Sequence, residues 1–467
     1  MKMWSGRFRQ PLDPSFEKWQ RSFGFDRRLL SFELQASAAH ARALSHAGVL
    51  TPDELNQIER GLEQIAARAE SAPEVLDDAE AEDVHHFVEK QLVKIVGDAG
   101  FKLHSGRSRN EQIATDLRMF VRAACDEISE AVAELMSAFV NRAEQARDAA
   151  MPAYTHTQPA EPVLVAHWLL AYVEMLLRDT ERLADCRRRA NFCPLGSAAV
   201  AGSTLPLDRH SMAVELGFAA PTPNSIDATA DRDFIIEFVR ALSLLMLNLS
   251  RWTEEMLLFS SREYGFIRLP EAYSTGSSAM PQKMNGDLLE LIRGKAGRVI
   301  GDLTALLVIT KGIPLAYDKD LQECQEPLFH AVDVVLSLTP LATAWMKAAE
   351  FDLPRMREAA QTGCLNAFAA ATYLTNKGVP FRIAHELVGK AVCLALQKQC
   401  ELQELSLQEL RKLDAHFDGD FFDFVKLENV LAIHNVPGGT APARVQEAIA
   451  SARKRIAQSR EEAHAHA

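Results

Sequence analysis

The chain has 467 residues, 48% of them hydrophobic, and a formal net charge of −12. That length allows two or three domains, or one extended helical body with a large core, and the acidic balance excludes a general nucleic-acid binder, whose phosphate contacts need a basic surface. Seven cysteines without short regular spacing exclude a disulfide framework or a zinc site and fit a reducing compartment.

In chain order, Met1–Gln10 lacks the apolar core of a signal peptide. No stretch reads as long and apolar enough to span a bilayer, so a soluble cytoplasmic protein with no membrane partner is expected. Residues 1–107 read as short helices. Ser22-Phe23-Gly24-Phe25-Asp26-Arg27-Arg28-Leu29 leads into a helix ending near His46. Thr51-Pro52-Asp53-Glu54 is a helix start, with Thr51 as N-cap, Pro52 at the first helical position and Glu54 completing a capping box. Asp83–Glu89 follows a helical pattern. His85 and Glu89 are four apart and share a face, but adjacent His85 and His86 with one Glu are too few defined ligands for a metal. On its own His85 reads as an ordinary surface residue.

Lys102–Asn110 sets Arg107, Arg109 and Asn110 around Gly106. It reads either as a solvated basic turn or as a carboxylate clamp of paired hydrogen bonds. A long helix follows, with Ile113, Leu117, Val121, Ala124, Ile128 and onward to Val140 on its buried stripe. Pro152, Pro159 and Pro162 break it around Tyr154-Thr155-His156-Thr157-Gln158; a lone His there is more often structural than catalytic. Another helix runs to about Asn191, then an irregular Gly/Pro hairpin spans 194–227. Asp231-Arg232-Asp233 opens a helix over 233–266, its carboxylates suited to the N-terminal dipole.

Residues 274–287, Ser-Thr-Gly-Ser-Ser-Ala-Met-Pro-Gln-Lys-Met-Asn-Gly-Asp, interrupt the helices. Gly276 permits unusual backbone angles and Pro281 blocks helix continuation. Beyond the loop, Leu288, Ile292, Ala296, Val299, Leu303 and Leu306 form one helical stripe. The loop combines Lys283, Asn285, Ser277, Ser278 and a helix N-terminus, a set suited to a carboxylate or a developing oxyanion; a polar connector with a helix cap is the plainer reading. Tyr317–Glu326 precedes a helix from about 326 to the Asp352-Leu353-Pro354 break. The region 356–467 reads as a smaller helical domain, with a Ser406/Glu409 capping box, a Pro437-Gly438-Gly439 turn, and solvated His464 and His466. Strand-like alternation is scarce, so the fold is all-α.

Gly276-Ser-Ser-x-Met-Pro-x-Lys-x-Asn285 resembles the signature loop of the fumarase/aspartase superfamily of elimination enzymes. Gln282 between Pro281 and Lys283 points, within it, to the argininosuccinate lyase family. Lys102–Asn110, Tyr154–Pro162, Ser22–Leu29 and Tyr317–Glu326 resemble four further family segments. Gly286 stands where the family commonly has Pro, Glu161 where it has Gln, and Asp318, Cys324 and Gln325 where it has Asn, Asp and Lys.

The resemblance implies a three-domain lyase fold: residues 1–107, a central long-helix bundle over 108–355, and residues 356–467. It further implies a homotetramer whose bundles pack into one helical core, with active sites shared between subunits. The substrate would be argininosuccinate, cleaved reversibly to arginine and fumarate in the last step of arginine biosynthesis. His156, Ser277, Lys283 and Glu290 would be catalytic. Ser22, Arg109, Asn110, Thr155, Asn285, Tyr317 and Gln322 would bind substrate, and His85 would line the site. The carbanion formed next to a carboxylate needs fixed donors and cations, which Lys283, Asn285 and the loop amides supply. No metal or organic cofactor is called for. Ser277 is the favoured base, with His156 protonating the leaving nitrogen and Glu290 orienting His156; the reverse assignment stays open. In the family, Lys at position 325 contacts the carboxylate of the arginine half, so Gln325 weakens that contact about tenfold unless Lys319 or another subunit's arginine replaces it. Two alternatives remain at this point: another fumarate-releasing superfamily lyase, or a crystallin-like structural protein.

Overall fold

A computed structural model describes residues 10–464. The N-terminal stretch read for a signal peptide lies outside them except for Gln10, as does His466. The helices expected from periodicity are present. Helix α1 spans Leu30–His46, preceded by short turns, and α2 spans Pro52–Ser71. The Thr51 capping box forms in full, its hydroxyl accepting from the Glu54 amide at 3.3 Å and the Glu54 carboxylate from the Thr51 amide at 3.0 Å. Helix α3 is Val84–Val96, capped by Asp83. Helix α4, Arg109–Ala146, has a capping box that sequence reading passed over, Ser108 with Glu111.

The proline-rich break is an antiparallel hairpin, β1 (Ala150–Thr155) with β2 (Gln158–Leu164). Helix α5 (Val165–Ala190) follows, then α6 (Asp233–Ser260). The signature loop is a second, small hairpin, β3 (Thr275–Gly276) with β4 (Met284–Asn285), leading into α7 (Asp287–Thr310). Helix α8 is Gln325–Ala348, α9 Ala367–Asn376, α10 Phe381–Lys398 and α11 Pro442–His464. The architecture is all-α apart from two-stranded pairings.

The long helices pack side by side: α4 on α5 and α8, α6 on α7 and α5, α7 on α8. Their apolar faces meet around Trp252, which stacks edge-on to Trp345 and Phe139 with centroids 5.6 Å away in each case. Helices α9 and α10 pack on each other over a separate core containing Phe417 and Phe421. The last helix returns to the bundle, where Arg453 pairs with Glu144 at 2.6 Å and Arg455 with Glu174 at 2.9 Å.

One expectation fails by composition. Lys319–Ala348 is long and apolar enough to cross a membrane, although no such stretch was expected. The reason is its place in the bundle: most of it is buried against neighbouring helices, so both sides must be apolar.

Candidate active site

The start of α3 is a knot of polar contacts. Glu82 accepts the Ser22 amide at 2.9 Å through its carbonyl. The Ser22 hydroxyl donates to Asp26 at 2.6 Å, and Asp26 accepts the Val84 amide at 3.0 Å. Asp83 caps α3 through the His86 amide at 2.7 Å and holds Arg109 at 2.7 Å, with Glu82 at 3.2 Å from the same guanidinium. Gln322 donates to the Gln20 carbonyl at 3.2 Å, which draws the 317–325 segment to the same place. The Tyr317 phenol there feels Arg232, Asp83 and Arg109. One chain therefore gathers Ser22, Arg109, Tyr317 and Gln322. Asn110 turns instead to the Ala199 carbonyl, at 3.2 Å.

His85 is not a surface residue. It is 5% exposed, 3.0 Å from Glu33 and 3.8 Å from Asp116. Its face toward Glu89 was visible from spacing; these partners, on α1 and α4, were not. Burial alone would lower its pKa, but Glu33, Asp83 and Asp116 outweigh it and lift it to about 9. Glu33 is wholly buried, yet His85 and Arg107 hold it down to about 2. Burial and the Glu33 charge push Asp116 well above the usual range. Burial and Asp83 lift Asp26 to about 7. Ligand atoms of Glu33, His85 and Asp116 lie within 4.8 Å of one another, a spacing that could hold a metal. The imidazolium and Arg107, 3.8 Å from Glu33, already supply positive charge there. The triad ties α1, α3 and α4 beneath the knot.

The remaining predicted residues sit on the two hairpins and, for Glu290, on α7. Thr155 pairs with Gln158, leaving His156 and Thr157 as a two-residue turn with φ of 54° and 60°. Positive φ at both central positions is the turn geometry that matches strand twist, here adopted without Gly or Asn. His156 and Thr155 are exposed at this tip. In the signature loop the Ser277 oxygen accepts the amides of Met280 at 3.1 Å and Ala279 at 3.3 Å. Asn285 donates to the Gly276 carbonyl at 3.5 Å, Thr275 bonds Asp287, and Lys283 is exposed. Glu290 is exposed on the first turn of α7. Among the described residues, no hydrogen bond or ion pair within one chain joins His156 to Ser277, Lys283 or Glu290.

Sequence reading passed over Asp26, Glu33, Asp83 and Arg232. Only Arg232 carried a signal in the sequence: a cation at a helix start opposes the dipole. A cavity of about 650 Å³ lies elsewhere, bounded by Cys125, Arg187 and Arg455 among others, and includes none of the predicted site residues.

Two family profiles match the chain: Lyase over residues 6–301, and Argininosuccinate lyase C-terminal over residues 364–432. An argininosuccinate lyase of Koribacter versatilis is 55% identical over 456 residues, 98% of each chain. One of Acidobacterium capsulatum is 56% identical over 460 residues, 97% of this chain and 95% of that one. Among solved structures, an EDDS lyase variant with bound fumarate superposes with a TM-score of 0.83 at 26% identity, covering 98% of this chain and 93% of that one. The 3-carboxy-cis,cis-muconate lactonizing enzyme of Pseudomonas putida shares the fold, with a TM-score of 0.74 at 22% identity over 95% of this chain and all of that one.

Proposed function

The chain belongs to the argininosuccinate lyase family, carbon–nitrogen lyases that split argininosuccinate reversibly into arginine and fumarate, and from this premise we propose how its residues divide the work. Ser22, Arg109, Asn110, Thr155, Asn285, Tyr317 and Gln322 hold the substrate. Ser277 takes the proton from the carbon next to a carboxylate of the succinyl half. The electron pair moves into that carboxylate, where Lys283 and the start of α7 stabilise the added charge. The C–N bond then breaks, the pair returns to form the double bond of fumarate, and His156, oriented by Glu290, protonates the departing nitrogen. Two backbone N–H groups already aimed at the Ser277 oxygen favour its alkoxide, which supports this order of roles.

The site is shared between the subunits of a homotetramer in this reading. The observation that carries it is that His156, Lys283 and Glu290 are all exposed, with no hydrogen bond or ion pair among the described residues joining His156 to the other two. Helix α7 adds support. It buries only Leu289, Ile292, Ala296, Val299 and Leu306, while Leu291, Leu307 and Val308 are 59%, 52% and 62% exposed. Gly294, Gly297 and Gly301 on the same helix face open space, which permits close approach of a second helix. The division into residues 1–107, 108–355 and 356–467 then makes the middle part the shared core. A cytoplasmic location suits a biosynthetic enzyme whose seven cysteines are all free.

The purified protein should release fumarate, read by ultraviolet absorbance, from argininosuccinate and not from adenylosuccinate, malate or aspartate. Inactive His156→Asn and Ser277→Ala chains, unfolded and refolded together, should regain activity, since about a quarter of sites would draw both intact residues from different chains. Mixed tetramers without recovery would rule out shared sites.

A further inference from the structure

Arg232 precedes α6 and is 2% exposed. Its Nη1 donates to the carbonyl of Asp231 at 2.7 Å, while Nε and Nη2 have no partner. The adjacent Asp231 carboxylate is committed elsewhere, to Arg118 and to the Asp233 amide at 2.7 Å. The side chains that act on its charge are Cys324 first, then Tyr317, then Asp231. Burial pushes the Cys324 thiol up to about 11 and raises the Tyr317 phenol, so both stay neutral. The helix start adds further positive potential. A guanidinium does not lose its proton in a protein, and a buried one without a counter-charge is costly.

The family pattern has an acid at position 324 and Lys at 325; this chain has Cys324 and Gln325. The pair of replacements removes one negative and one positive charge together. Cys324 is wholly buried beside Arg232, where an acid would be its counter-charge. Gln325 is 3% exposed and its Oε1 has no partner, so it places a stranded acceptor, not a cation, in this wall. Tyr317 feels Arg232 together with Arg109 and Asp83, which puts the guanidinium in the charge neighbourhood of the substrate contacts.

We propose that Arg232, released from an acidic partner at position 324, is the cation that receives the carboxylate of the substrate's arginine half, the task Lys performs at position 325 in relatives. This rests on the functional reading above and assigns a specificity-determining residue within it.

The test uses the intact enzyme with argininosuccinate, arginine and fumarate, and reads KM, kcat, inhibition constants and Tm. Cys324→Asp gives Arg232 a carboxylate of its own. It should hold or raise Tm while raising KM for argininosuccinate and the inhibition constant for arginine by about tenfold or more. The inhibition constant for fumarate and kcat should change little. Adding Gln325→Lys to that variant should restore both constants. Arg232→Gln should weaken arginine binding similarly and be rescued by Gln325→Lys, which keeps the test open if Cys324→Asp fails to fold. Unchanged arginine binding in Cys324→Asp with a raised Tm would overturn the proposal, leaving Arg232 a structural residue. Failure of Gln325→Lys to rescue either variant would overturn it as well. Calorimetric titration with arginine separates the same outcomes without turnover, so a wild-type protein inactive on argininosuccinate would refute the functional reading and not this one.

Discussion

The Glu33–His85–Asp116 triad makes stability depend on pH in a window that can be worked out in advance. The folded His85 pKa of about 9 stands against 6.5 for the unfolded chain. Between those values the native state holds a proton that the unfolded state has released, so stability falls as pH rises, by about 1.4 kcal/mol per unit. The whole contribution, about 3 kcal/mol, is present below pH 6.5 and lost by the time pH passes about 9. Asp26, lifted to about 7 from 3.8, gives a fall complete near neutrality, and the raised Asp116 carboxyl adds one of the same sign, so His85 is read from the difference between the wild-type and His85→Gln profiles. His85→Gln keeps a side-chain donor for Glu33 but no titrating charge. At pH 7 it should cost about 3 kcal/mol, the range for breaking a buried pair, and flatten the profile above pH 7.5. The assay is urea unfolding followed by tryptophan fluorescence at fixed protein concentration, because any association of chains makes stability depend on concentration. An alkaline slope as steep in His85→Gln as in the wild type would refute the assignment.

Other outcomes follow from the same geometry. Ser277→Ala should lower kcat by roughly 10²–10⁴-fold with circular dichroism and substrate affinity retained; near-wild-type turnover would remove Ser277 from the chemistry. Lys283→Gln should lower kcat roughly 10²-fold or more without altering Tm, since the side chain is exposed. Gly439→Ala would set a Cβ 2.1 Å from the His434 carbonyl oxygen, an atom that cannot yield, and should cost about 3 kcal/mol in chemical unfolding. The neighbouring Thr440 hydroxyl accepts the Leu164 amide at 2.8 Å, at the base of the hairpin carrying His156. Activity in Gly439→Ala should therefore fall before the bundle melts, as seen by turnover and helical signal followed along one temperature ramp.

Much of the fold could be read from local pattern because local pattern causes it. Thr51 and Glu54 are three residues apart and satisfy each other's backbone, so the box is visible in the string. The stripe of α7 came from spacing in the same way. The tip of the first hairpin could not be read so, because His156 and Thr157 adopt positive φ without the residue types that advertise it. His85 was misread for a different reason. Its partner Glu33 lies 52 residues away in sequence and Asp116 lies on another helix, so its burial is a fact of packing. The unpaired guanidinium of Arg232 is likewise a fact about neighbours. What could be read was the local exception, a cation at a helix start and an acid missing from position 324.

The return of α11 to the bundle bears on how the chain is made. Arg453 meets Glu144 across 309 residues and Arg460 meets Glu134 across 326. At roughly 5–20 residues per second, α4 waits on the order of 15–60 s on the ribosome before its last neighbour emerges. During that interval the apolar groove that α11 will fill lies open on a nascent bundle, and every newly made chain passes through it. Removing α11, with its buried Val445, Ile449 and Ile456, would turn that passing state into a standing one, so the cellular burden of such a truncation should fall on chaperones and proteases while the two hairpins remain intact.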